Sequence, residues 1–152
     1  MSPKSRSITI RKAIVDDVVG IHQLFSDHLD NKSYGTKVTY DQEKLLSYIE
    51  YIISVPIIGV FVSVTGDGIV TGIMSCYMFD SPCSDDRICR EFTWISSPKY
   101  PSSGLQLLMR LERWAKEQGA TRFAMGCTDE RVAKLLSRCG YARGEISYEK
   151  DI

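Results

Sequence analysis

The stretch Arg87-Ile88-Cys89-Arg90-Glu91-Phe92-Thr93-Trp94-Ile95-Ser96-Ser97-Pro98-Lys99-Tyr100-Pro101-Ser102-Ser103-Gly104-Leu105-Gln106-Leu107-Leu108 decides how the rest of the chain is read. It opens on a run rich in β-branched and aromatic residues that predicts a strand. Pro98, Pro101 and the serine-glycine run then break the strand and open a helix. That helix runs to about Gln118, with Leu107, Leu108, Leu111, Trp114 and Ala115 on one face and Gly119 as its stop. A turn of small residues at a helix start leaves backbone N–H groups free, and the helix dipole adds attraction for an anion. Glu91, in the strand just before this cradle, is a natural general base, because partial desolvation lifts a carboxyl toward a useful pKa. Alternation places Cys89, Thr93 and Ile95 on its face of the strand and Phe92 and Trp94 on the other.

Upstream, Ile8 to Lys12 alternates apolar and polar residues as a short strand. A helix begins at Asp16 or Asp17 and turns Val18, Ile21, Phe25 and Leu29 inward. After a polar connection containing Tyr34-Gly35-Thr36, Asp41 caps a second helix with Leu45, Ile49 and Ile52 on one face, ended by Pro56. Ile58 to Thr65, a hairpin at Gly66-Asp67-Gly68, and Ile69 to Phe79 make two strands. Downstream, Arg122 to Cys127 is a strand, Arg131 to Arg138 a short helix with Val132, Leu135, Leu136 and Cys139 in step, and Glu145 to Lys150 a closing strand. The order β-α-α-β-β-β-α-β-α-β is mixed α/β.

With 152 residues, 43% hydrophobic and 25% charged, the chain predicts a single globular domain over 1–152, with a flexible N-terminal stretch at 1–7. Nineteen basic and nineteen acidic residues cancel, so the balance points to neither nucleic acid nor an anionic membrane as partner. No stretch approaches the ~20 apolar residues of a membrane span. Five cysteines with no CxxC pair argue against a disulfide framework or zinc site; most lie in apolar runs, and a reducing, cytoplasmic setting fits. His22 and His28 are six apart on one helix, on different faces, so no metal site is expected.

The element order, the strand–cradle–helix stretch and the Gly140-Tyr141 pair before the closing strand resemble the GNAT superfamily of N-acetyltransferases. The resemblance implies an acyl-CoA N-acyltransferase fold, with a mixed, mostly antiparallel central sheet flanked by helices. It further implies acetyl-CoA as co-substrate and a primary amine, on a small molecule or a peptide, as acceptor. The family's acyl-CoA signature is Gln or Arg, two residues, Gly, one residue, then Gly or Ala. Here Pro101-Ser102-Ser103-Gly104-Leu105-Gln106 matches it only at Gly104. By the same likeness, amides from Ser102 to Gln106 hold the pyrophosphate and main-chain groups of Ile95 and Ser96 the pantetheine. Glu91, thirteen positions before Gly104, takes the amine proton. His28 and Tyr34 fall on the acceptor side. The family's usual acid, a tyrosine, is replaced by Leu136, leaving water, Cys127 or Tyr148 for that task. Dimers are common in the family, so a homodimer is among the expected assemblies. The departures from the signature keep a non-catalytic protein on the same fold as the alternative.

Overall fold

The computed structural model describes residues 7–30, 40–127 and 129–145, with positions 148, 150 and 152. One sheet holds the strands in sequential order: β1 (Ile8–Lys12), β2 (Ile58–Thr65), β3 (Val70–Asp80), β4 (Arg87–Ser96) and β5 (Arg122–Ala124). β1 to β4 form an antiparallel meander, and β5 joins parallel to β4. The mixed, mostly antiparallel sheet expected from the sequence is present. Helices α1 (Val18–Asp30) and α2 (Gln42–Ser54) lie between β1 and β2 in the chain. Helix α3 (Ser103–Glu117) makes the crossover that a parallel neighbour requires, and α4 (Glu130–Arg138) follows β5. The expected closing strand over 145–150 falls largely outside the described residues, as do the connection at 31–39 and residues 1–6. No helix among the described residues is long and apolar enough to cross a membrane.

Local chemistry sets the helix ends. Asp41 caps α2, its carboxylate accepting from the Lys44 amide at 3.0 Å. Gly119, just past α3, takes φ +87°, which a side chain would resist. The entry to α1 differs from the expected Asp cap: a 3₁₀ turn over Val15–Asp17 comes first. Asp17 is buried there, accepting from both Arg11 guanidinium nitrogens at 2.7 and 2.8 Å and from the Ile14 amide at 2.8 Å. Burial alone would raise its pKa, but those donors outweigh it and hold the carboxyl below its usual range.

The sheet separates two apolar clusters. Val18, Ile21, Phe25, Leu45, Ile49 and Ile52 pack from α1 and α2 onto Val60, Val62, Ile73 and Ile95. On the other face, Leu107, Leu108, Leu111 and Trp114 of α3 cover Phe61, Met74, Cys76 and Cys89. With helices on both faces, β2 is buried along nearly its whole length. In α4 only Leu136 is buried, and Cys139 is exposed. Cys76 and Cys89 are the only buried cysteines; Cys83, Cys127 and Cys139 are exposed, which corrects the reading of most thiols as small core hydrophobes.

The clusters expose a break in β4. Cys89 belongs to the α3 side and Ile95 to the α1–α2 side, although their even separation would put them on one face of a regular strand. Ser75 opposes Thr93 and Cys76 opposes Glu91, so Phe92 is an extra, bulged residue without a partner. Side chains beyond it change face. The expected grouping of Glu91 with Thr93 and Ile95 is corrected accordingly: Glu91 keeps the face of Cys89, and Phe92 packs on Tyr48 of α2 at 5.7 Å between ring centroids.

Candidate functional site

The sheet splits along β4. Its first half is paired on both edges, with Ile88, Cys89 and Arg90 opposite Arg122, Phe123 and Ala124. Thr121 ties down the entry: its amide donates to the Arg87 carbonyl at 2.9 Å, and the Arg87 amide donates to Thr121 Oγ1 at 3.0 Å. From Glu91 onward, among the described residues, the β5-side edge has no strand partner, while the β3 ladder continues to Ser96. β5 ends at Ala124 rather than reaching Cys127. β4 and β5 therefore part at Glu91, beside the bulge and well before Pro98, leaving a fork on this edge.

Glu91 stands where the strands part. The Gly126 amide donates to its Oε2 at 3.3 Å. Burial pushes the carboxyl above its usual range, and the Gly126 amide and the Arg90 charge offset this only in part. Arg87 does not pair with it but with Asp80, at 3.6 Å. A half-buried carboxylate with a raised pKa and one weak hydrogen bond is equipped to take a proton.

Which main-chain groups face the fork follows from β3. The Ser97 amide donates to the Thr71 carbonyl at 2.8 Å, and a Cβ built on Gly72 would meet the Ile95 carbonyl at 3.1 Å. Alternate residues direct their main-chain groups to the same edge, so those of Ile95 point at β3. Trp94 and Ser96 present theirs to the open edge. Of the expected pair, Ser96 faces the fork, whereas Ile95 is turned away with its side chain in the core.

The start of α3 is pinned to this open half. Ser96 Oγ and Ser103 Oγ share a 2.8 Å hydrogen bond, and Ser103 Oγ donates to the Tyr100 carbonyl at 2.8 Å. The Ser103 amide donates to the same carbonyl at 3.1 Å. Ser103 is fully buried, with amide and hydroxyl both committed to the turn, which removes it from the expected anion-binding set. Ser102 is the N-cap residue, and its hydroxyl makes no capping bond. Among the described residues, the amides of Ser102, Gly104 and Leu105 donate to no protein acceptor. Pro101 is exposed and has no amide to give; Gln106 is exposed, its own amide donating to the Ser102 carbonyl at 3.3 Å.

Gly104 lies beside β4, where a Cβ would make only ordinary van der Waals contacts. A Cβ there would meet Ser96 Cβ at 3.4 Å and Trp94 Nε1 at 3.7 Å, and Trp94 Nε1 donates to the Gly104 carbonyl at 3.1 Å. Its bare side faces β4, so a residue larger than alanine would press on Ser96 and Trp94.

His28 is half-buried near the end of α1, and Tyr34 lies outside the described residues. Leu136 is packed in the α3-side core. Tyr141 donates to the Glu112 carboxylate and meets Phe123 edge-on at 6.4 Å; burial first, and then Glu112, raises its pKa. It is a pin between α3 and the segment after α4.

Sequence reasoning missed an aromatic cavity on the α2 face. Tyr48 and Tyr51 of α2, Ser75 and Tyr77 of β3, and the bulged Phe92 line a space of ≈ 210 Å³. Two tyrosines three apart on α2, and Tyr77 and Phe79 two apart on β3, were its signal. Phe92 joins them only because of the bulge.

No family model matches the chain, and no curated protein matches it in sequence. Solved structures do. It is similar to a glucosamine-6-phosphate N-acetyltransferase from Arabidopsis thaliana, with 15% identity, TM-score 0.76, and coverage of 95% of this chain and 98% of that one. It is similar over 100% of both chains to an aminoglycoside N-acetyltransferase in complex with CoA, with 16% identity and TM-score 0.76. A GNAT family acetyltransferase from Staphylococcus aureus matches with 14% identity, TM-score 0.72, and 96% and 99% coverage. Nearly end to end, this chain has the fold of the GNAT acetyltransferases.

Proposed function

We propose that the protein transfers an acetyl group from acetyl-CoA to a primary amine, with Glu91 as the base. The observation that carries this reading is the fork itself: an open strand edge, a carboxylate at its base with a raised pKa, and an unsatisfied helix start beside it. The amides of Ser102, Gly104 and Leu105 hold the pyrophosphate, flanked by Pro101 and Gln106. The main chain of Trp94 and Ser96 pairs with the pantetheine arm as with a short added strand. Acetyl-CoA supplies an acyl group already activated as a thioester, so positioning provides much of the acceleration. Glu91 takes the proton that keeps the amine from attacking. With Leu136 in the core, solvent in the open fork serves as the acid. The five free thiols suit a reducing, cytoplasmic setting.

A thermal-shift series with acetyl-CoA, CoA and no ligand tests the coenzyme role. Saturation at ~100 times the dissociation constant adds about 2.7 kcal/mol of apparent stability. No shift overturns the reading. A shift without CoA release across a broad amine panel moves it to a non-catalytic acyl-CoA-binding protein.

A further inference from the structure

We infer that the acceptor amine is carried on a compact aromatic body, which lies among Tyr48, Tyr51, Tyr77 and Phe92 and is anchored by a hydrogen bond to Ser75. Its orientation toward Glu91 rests on the acetyl-transfer reading; the binding does not.

Size is the first argument. A cavity of ≈ 210 Å³ is below the ~300–1,000 Å³ usual for ligand pockets, which leaves room for one ring and a short chain. Charge is the second. None of the lining residues is charged, so a polyamine or an aminoglycoside would bring several ammonium groups to a wall without a counter-charge. The rings are the third. Phe92 is held at 5.7 Å from Tyr48 and 6.4 Å from Tyr77, yet it remains 62% exposed, and Tyr51 is 60% exposed. Large aromatic surfaces left uncovered beside a concave site are what a stacked ring would cover.

Ser75 supplies an independent observation. The residue is 1% exposed, lines the cavity, and its Oγ has no hydrogen-bond partner. The Tyr48 hydroxyl interacts with that of Ser75 only from beyond ordinary hydrogen-bond length. A buried hydroxyl without a partner is costly, and a polar group on the ring of a ligand would relieve that cost. Finally, Glu91 and Phe92 leave β4 on opposite faces, yet the Glu91 charge acts on the Tyr48 hydroxyl at the cavity. A short aliphatic arm on the ring therefore has to pass the open edge of β4 to bring its amine to the carboxylate.

The test is isothermal titration, without coenzyme, of 2-phenylethylamine, its 4-hydroxy derivative, spermidine and kanamycin. Both aromatic amines should bind, the hydroxylated one roughly fivefold more tightly. Phe92→Ala and Tyr51→Ala should each weaken both by roughly tenfold. Because both side chains are exposed, these variants should keep the parent's unfolding midpoint. Ser75→Ala should erase the preference for the hydroxylated ring while retaining 2-phenylethylamine. Spermidine or kanamycin binding as tightly as the aromatic amines overturns the inference. So does aromatic-amine binding that is absent, that survives Phe92→Ala unchanged, or that shows no hydroxyl preference in the parent protein. Since no coenzyme is present, a missing acetyl-CoA shift would sink the acetyl-transfer reading and leave this binding result standing.

Discussion

The two halves of β4 have the same strand geometry and opposite uses. From Arg87 to Arg90 the strand is laddered to β3 and β5, and Thr121 closes its entry. Its main-chain groups are committed, so only side chains remain available, and Cys89 is fully buried. From Glu91 to Ser96 the β5 ladder is missing. In its place, the start of α3 supports the strand through side chains, Ser96 to Ser103 and Trp94 to the Gly104 carbonyl. This leaves the main-chain groups of Trp94 and Ser96 for something that arrives as a strand. An open edge is normally a hazard; here one bulged residue and a short β5 confine it to half a strand.

The harshest way to break the comparison is to delete Phe92. Without the extra residue, everything beyond it turns over, sending Ile95 out of the α1–α2 core. We expect loss of cooperative unfolding by circular dichroism. A deletion variant that melts like the parent would mean that the bulge does not create the open half.

Glu91→Gln comes next. Turnover should fall by roughly 10² to 10⁴ while acetyl-CoA affinity stays within experimental scatter, and the loss should shrink at high pH, where free amine is abundant. The same variant reports on stability. Because the folded-state pKa of Glu91 is raised, the native protein binds this proton more readily than the unfolded chain. Its contribution is therefore fully present below the ordinary glutamate pKa and is lost as pH rises through the folded value. Melting temperatures should coincide in acid and favour Glu91→Gln at neutral pH. A variant less stable than the parent at neutral pH would show that the carboxylate is structural.

Gly104→Val probes the support of the open half. Overpacking against Ser96 and Trp94 should cost about 1–3 kcal/mol in denaturant unfolding. Gly104→Ala, whose contacts begin at 3.4 Å, should be close to neutral because helix propensity offsets them. Full stability in Gly104→Val together with a lost acetyl-CoA shift would place the bare side of Gly104 toward the anion instead.

The smallest effect is expected in the closed half. Thr121→Val removes hydroxyl bonds to the Arg87 amide and to Asp86, each 3.0 Å long. It should cost about 1 kcal/mol and speed amide exchange at the entry of β4 without touching turnover. A change in turnover would mean that the two halves are coupled.

Much of this was readable beforehand. The 3.6-residue rows of α2 and α3 selected their buried faces, Asp41 announced its cap, and β2 runs from Ile58 to Thr65 as expected. Glu91 was visible as a carboxylate ahead of a helix-opening turn, and it stands at the fork. Illegible were the face of Glu91, the turning of Ile95 toward β3, the commitment of Ser103 to its own turn, and the aromatic cavity. Each depends on a partner remote in sequence: Ser75 and Cys76 set the register that ejects Phe92, Gly72 lies beside the Ile95 carbonyl, and Ser96 holds Ser103.

Periodicity and capping are local, because i, i+4 spacing and a cap's reach are set within a few residues, so the chain alone determined its elements, their order and their apolar faces. Strand register is not local. One unpaired residue reverses every side chain after it, and no property of Phe92 itself marks it as that residue. The tertiary structure alone decided where β4 comes free of β5, which groups look into the fork, and which rings surround the cavity behind it, because those choices are made by the ladder to β3 and the close approach of α3.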